Sequence, residues 1–271
     1  MMIKDEFTPY ESEFLEFKSE LTSFIFRLVS NRALAEDLVH DTYIKMVDNI
    51  DTFRKESSFK TWVFTIAHNL AKNHLAKQKR WREDAQQINA KLHINSEELF
   101  DKMRGVYNSN PDKGFELKEH ISYCFNCMTK TLVVDQQVCI WLKNVYDFKV
   151  SEIMTITGLS EGKVKHAIAD ARKNLTRIFD EKCAFVSQKG TCHQCSSLKG
   201  ILNPEQNEQS KANQIKMVRE GSNPDKEKLL SLRMELVKNL DPLENPSSHL
   251  HSYFLENSPK WVEMALSQEN S

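Results

Sequence analysis

The chain has 271 residues, with 37 Lys+Arg against 38 Asp+Glu and a net charge of -1, which excludes a protein coated all over in basic charge for wrapping nucleic acid. It holds only seven glycines and seven prolines, and none of either lies between Tyr10 and Arg104. That stretch supplies neither the turns of a β-rich fold nor a glycine-rich phosphate loop, so an all-α fold is expected.

The first residues, MMIKDEFTPYESEF, are acidic and lack the apolar core of a signal peptide. No apolar run approaches the ~18 residues of a membrane span, so a cytoplasmic protein with no membrane partner is expected. Phe14, Phe17, Leu21, Phe24, Ile25 and Leu28 recur three or four apart, the pattern of one buried helix face. After a break at Ser30-Asn31-Arg32, a second stripe runs through Ala35, Leu38, Val39, Thr42, Tyr43, Met46 and Ile50. Ser57-Ser58 opens a third helix, expected from Phe59 to about Arg82. From Ser57 to Arg82 there is no acidic residue, while Lys60, Lys72, Lys77, Lys79, Arg80 and Arg82 are interleaved with Phe59, Trp62, Phe64 and Trp81. Cations neutralise phosphates and aromatic faces stack on unpaired bases, a composition suited to exposed single-stranded DNA. The preceding helix carries Glu36, Asp37, Asp41 and Asp48, a face suited to a basic protein partner.

Periodicity fades from Glu83 to about Lys118, and Tyr107–Gly114 is turn-forming, as in an interdomain linker. A second helical block follows from Glu119 to about Asp180. Within it a short helix from Val150 ends at Gly158, as a C-cap that needs positive φ, and Ser160 opens another helix containing Val164, Ile168 and Leu175. Two helices joined by a tight glycine turn form a helix-turn-helix, whose second helix enters the DNA major groove. Asn203–Lys226 reads as a flexible connector, Leu229–Leu240 as a short amphipathic helix, and two weaker helical pieces follow Pro246 and Pro259.

Ala33–Val47, Phe53–Trp62 and Ile66–Leu70 together resemble region 2 of the extracytoplasmic-function (ECF) sigma factors, and the helix-turn-helix running into Ala171–Leu175 resembles region 4. The resemblance implies a subunit that brings core RNA polymerase to promoter DNA and assists its melting, with no catalysis of its own. It divides the chain into region 2 (1–85), a linker (86–118), region 4 (119–182), a cysteine-rich segment (183–202) and a C-terminal extension (203–271). By the same resemblance Asp37, Leu38, His40, Asp41 and Ile44 dock on polymerase, the family often having Gln-Glu where this chain has His40-Asp41. The loop Phe53–Phe59, with Ser58, resembles the one that captures a flipped base of the minus-ten element. Asn69 matches a contact to that element, and Lys60, Lys72 and Lys77 steady its backbone, beside the aromatic Trp62. In the recognition helix Lys163, Lys165 and His166 lie where base edges are read, and Arg172 and Lys173 where phosphates are met. His166, Ala167 and Asp170 replace residues common in the family, which leaves the minus-thirty-five sequence open.

The cysteines add a separate signal. Cys124 and Cys127 are one helical turn apart, and Cys192 and Cys195 follow Gly190 in a second Cys-x-x-Cys pair. Two such pairs provide the thiolates of a tetrahedral zinc site, with Cys183 or His193 as an alternate ligand, although the 64 residues between the pairs exceed ordinary finger spacing. The bland alternative is a set of reduced, buried thiols. The pattern resembles a sigma-factor subgroup with a cysteine-rich stretch after region 4. Cys139, beside Ile140 and Trp141, is expected in the core. A redox- or zinc-responsive helix-turn-helix regulator is the competing reading. A zinc enzyme is disfavoured, because a four-thiolate site is closed and no His-Glu-x-x-His motif is present. The extension is expected to cover region 2, region 4, polymerase, or an anti-sigma or other regulatory protein, and to restrain activity when folded back.

Overall fold

The computed structural model describes residues 8–109, 117–183, 216, 220, 225–244 and 248–269. Among the described residues the fold is helical throughout: α1 (Thr8–Val29), α2 (Arg32–Asp48), α3 (Phe59–Leu75), α4 (Ala85–Asn95), α5 (Glu97–Ser109), α6 (Leu117–Thr129), α7 (Val134–Asn144), α8 (Val150–Thr157), α9 (Glu161–Lys182), α10 (Lys226–Lys238) and α11 (Ser248–Glu269). A 3₁₀ turn at Ile50–Thr52 follows α2. No described helix is long and apolar enough to cross a membrane.

The helix boundaries have local causes. Ser30 takes a left-handed φ of 57° and its N–H bonds the Phe26 carbonyl at 2.7 Å, which ends α1. Asn31 then caps α2, its Oδ1 accepting from the Leu34 N–H at 2.8 Å. Ser58 caps α3 in the same way, accepting from the Thr61 N–H at 3.1 Å. The expected third helix is shorter than its periodicity suggested, ending at Leu75 instead of near Arg82. Beyond Leu75 the next described apolar core residue is Ala85, and the intervening cations have no buried face to hold a helix.

The described residues form two compact units. The first takes residues up to 79 with 134–169, hence α1, α2, α3, α7, α8 and the start of α9. Its core is Phe14, Leu21, Phe24, Ile25, Val63 and Phe64 with Trp141, Ile153 and Val164, none more than 2% exposed. The helix-turn-helix corner is Gly158, at φ 72° with its N–H on the Met154 carbonyl.

The second unit takes residues 80–133 with 170 onward. Where the sequence suggests a linker over 86–118, α4 and α5 occupy most of it and are packed by α11. The stretch read as region 4 is divided, since α6 belongs to the second unit. Its apolar face is covered by α10 and by Phe179 of α9, whose ring stacks on Phe125 at 5.8 Å. The two pieces expected around Pro259 are one helix, α11, with the proline inside it. Leu250, Phe254, Leu255 and Trp261 are all buried on α11, and that burial outweighs the one backbone donor the proline removes.

Candidate nucleic-acid interface

The acidic face of α2 forms as expected. Asp37, His40 and Asp41 are exposed, and Ile44 and Val47 stand beside them with 43% and 36% of their surface open. Exposed aliphatic side chains among carboxylates make a surface with an apolar centre and an acidic rim, the anatomy of a protein-docking face. Leu38 does not share it. It is 6% exposed and faces inward with Ala35, Val39 and Met46, so its contribution is to hold α2 in place.

The loop before α3 is shaped by aromatic packing. Phe53 lies 5.3 Å from Trp62 and 5.6 Å from Phe59, and Phe59 is tilted against Tyr10 at 5.0 Å. Phe59 is 4% exposed, so its ring forms the floor under the loop instead of an open stacking platform. Trp62 and Phe53 are partly open on that floor. Lys55 holds a left-handed φ of 58°, unfavourable for a residue with a Cβ and costing about 1 kcal/mol. Ser58 is exposed at the N-cap, its hydroxyl 2.8 Å from that of Thr61. Further along α3, Asn69 and Lys72 are exposed, as is Lys77 beyond the helix, so three of the expected DNA contacts lie open to solvent.

Lys60 is placed differently from its expected phosphate role. Its Nζ pairs with Glu20 at 2.6 Å and lies over the ring of Phe148 at 5.4 Å. One residue on, the Thr61 hydroxyl donates to Glu152 at 3.1 Å, and Glu152 also accepts from the Lys149 N–H at 2.8 Å. Glu152 thus caps α8 and fastens it to α3. The acid-free run in the sequence therefore meets two carboxylates in space, Glu20 and Glu152, that no local pattern reveals. His68, two turns further along α3, is buried. Burial, aided by Lys72 and opposed by Asp135, holds its imidazole down at about 4, so it is neutral near pH 7.

In the recognition helix, Lys163, Lys165, His166 and Lys173 are exposed, with Lys165 paired to Glu161 at 2.6 Å. Arg172 is engaged. Its guanidinium donates to Glu227 at 2.8 Å and to Ser231 at 3.0 Å, both on α10.

Of the cysteines, Cys124 and Cys127 share α6, half-buried and buried respectively, while Cys192, Cys195 and His193 lie outside the described residues. Cys183 receives a hydrogen bond from Arg233 at 3.1 Å. No group of three or more His, Cys, Asp or Glu poised to hold a metal occurs among the described residues. Cys139 is fully buried, which pushes its thiol up to about 12.

Sequence reading also overlooked a buried polar layer in the second unit. His251 of α11 stacks flat on Tyr123 at 4.7 Å, with His120 at 6.1 Å, and His93 sits edge-on to Trp261 at 4.5 Å. Burial lowers the basicity of all three histidines, His120 to about 4, with the charge of Arg233 reinforcing it there. Asn89 donates to the hydroxyl of Ser258 across the same layer at 2.5 Å.

Comparison with known proteins bears on these faces. Residues 14–81 match the Sigma-70 region 2 family. The chain is 27% identical over 158 residues to the ECF RNA polymerase sigma factor EcfG of Rhodopseudomonas palustris, covering 58% of this chain and 78% of that protein. It is 25% identical over 176 residues to the RNA polymerase sigma factor YlaC of Bacillus subtilis, covering 64% and 95%. Among solved structures, the sigma factor RpoE in complex with the anti-sigma factor NepR from Bartonella quintana aligns at 24% identity with a TM-score of 0.44, covering 63% of this chain and 96% of that one.

Proposed function

We propose that the chain is an RNA polymerase sigma factor of the ECF family, acting in transcription initiation with no catalysis of its own, and that its faces divide the work as follows. The exposed edge of α2 around Asp37, His40, Asp41 and Ile44 docks on core RNA polymerase, which places the protein in the cytoplasm. The loop Phe53–Ser58 takes an extruded base against Phe53 and Trp62, while Asn69, Lys72 and Lys77 hold the strand. Extrusion costs a few kcal/mol, and stacking on the aromatic floor offsets part of it. The observation that carries this reading is the aromatic loop opening directly onto the solvent-facing side of α3. In holoenzyme, Asn69→Ala is expected to leave polymerase binding intact and to slow the fluorescence rise of 2-aminopurine placed in the minus-ten element. An unchanged rise would remove Asn69 from strand capture. Lys163, Lys165, His166, Arg172 and Lys173 serve the minus-thirty-five duplex, and a regulatory protein of the anti-sigma kind is a further expected partner.

The cysteines support a metal proposal. Two thiols one turn apart on α6 fit half of a four-thiolate zinc set, which Cys192 and Cys195, or Cys183 in place of one, would complete. Bound zinc would supply folding free energy and no chemistry, tying the cysteine-rich segment to α6. Protein purified without chelator is expected to carry near-stoichiometric zinc that is lost on Cys124→Ser/Cys127→Ser. Metal-free, fully folded protein from anaerobic preparation would refute the site.

A further inference from the structure

The ion pair between α9 and α10 joins two helices far apart in the chain. Several other surface pairs join residues one turn apart on a single helix, such as Glu161–Lys165 or Glu98–Lys102. Arg172 instead reaches across 55 positions to Glu227, and the same carboxylate takes the Thr176 hydroxyl at 3.0 Å on its other oxygen. Ser231, one turn further along α10, accepts a second bond from the same Arg172 nitrogen. Lys226 closes the strip by pairing with Asp180 at 3.0 Å. A carboxylate and a hydroxyl thus offer Arg172 the kind of oxygen acceptors that a DNA phosphodiester would present.

The placement is held from behind. Leu229, Leu230, Met234 and Val237 of α10 are buried, as is Arg233, whose guanidinium lies 3.7 Å over the ring of Phe179. The acidic strip is therefore presented to α9 by a packed helix and not by a fluctuating side chain.

We infer that α10 is a built-in competitor of DNA: Glu227 and Ser231 occupy Arg172 as stand-ins for a phosphate, and duplex DNA gains this contact only by displacing them. The inference rests on the reading of α9 as the recognition helix. It makes the extension a brake of modest strength, because an exposed ion pair is a weak lock that the much larger field of a duplex can open.

The test is a double-mutant cycle on the full-length protein, reading affinity for a fluorescein-labelled random duplex by anisotropy at low salt. Glu227→Gln is expected to tighten binding about two- to five-fold, the range that releasing an exposed ion pair sets. Removing any carboxylate near DNA raises affinity through bulk charge, so the deciding arm is the Arg172→Ala background. There the gain from Glu227→Gln vanishes under competition and persists under a bulk-charge effect. Ser231→Ala, which changes no charge, is expected to tighten binding in the wild-type background as well. A gain that survives in Arg172→Ala, or no gain from either variant in protein that melts like wild type, overturns the inference. Binding of the same samples to core polymerase is measured in parallel. Loss there in every sample, wild type included, would strike the sigma-factor reading, while the cycle judges the competition separately.

Discussion

Acid should loosen the second unit more than the first, three depressed histidines in the layer of α4, α6 and α11 being set against His68 of α3. His120 and His251 are buried with their basicity depressed, His120 to about 4 from an ordinary 6.5. Above 6.5 both the folded and unfolded chains hold these rings neutral, and the layer contributes fully. As pH falls below 6.5 the unfolded chain takes up protons that the folded chain refuses, so stability drops until the folded value is reached. Between pH 6.5 and about 5, His120 alone forfeits on the order of 1–2 kcal/mol, and His251, depressed in the same direction, adds to it. The groups facing the layer are Tyr123, Arg233 and His93, with Lys130 just past the end of α6. Lys130 is also depressed, by burial and by Arg80, and its contribution is common to the wild-type chain and the His120→Phe/His251→Phe variant. Glu83 and Asp84, held below the usual carboxylate range mainly by hydrogen bonds from Arg177 and Arg82, lose theirs only under more acidic conditions. The histidines' share is therefore the part of the slope that the His120→Phe/His251→Phe variant removes. Hydrogen exchange of α11 amides across pH 7.5 to 5 reads the opening free energy of this unit directly. A decline of less than about 1 kcal/mol over the window, or an equal slope in His120→Phe/His251→Phe, would refute the reasoning.

Other outcomes follow from the packing. Phe64 is fully buried between Phe24 at 5.3 Å and Phe148 at 4.8 Å, so Phe64→Ala is expected to cost about 3–5 kcal/mol by urea unfolding. Gly158→Ala meets no atom within 4 Å of the added Cβ, so its cost comes from the left-handed backbone alone, about 1 kcal/mol in the same assay. Truncation after Leu202 removes the helices that cover α4, α5 and α6. It is expected to lower the melting temperature and expose apolar surface to a dye such as ANS, whereas a truncation that melts like the full chain would make the extension dispensable for folding.

The sequence announced what is local. The α1–α2 break at Ser30-Asn31-Arg32, the Ser58 cap and the Gly158 corner are each set by one or two residues, and all three are where the spacing put them. Non-local features were hidden. Glu152 reaches Thr61 across 91 positions, and Glu227 reaches Arg172 across 55, and neither residue is distinguished from an ordinary surface glutamate in the sequence. The 86–118 segment read as a linker because its buried positions include Gln86, Asn89 and His93, polar side chains that mask a helical face. Leu38 and Phe59 show the reverse difficulty. Their types suit a binding face, but an inward register on the helix makes them core. Cys124 and Cys127 were legible as a pair on one helix, while Cys192 and Cys195 lie outside the described residues.

The measurement that bears most directly on the central claim is run-off transcription with purified core RNA polymerase on sheared genomic DNA, with Asp41→Lys run beside the wild-type chain. The account predicts discrete promoter-specific transcripts that require the chain, and their loss with Asp41→Lys through weakened binding to core. Absence of both core binding and promoter-specific transcripts with the folded wild-type chain would contradict it.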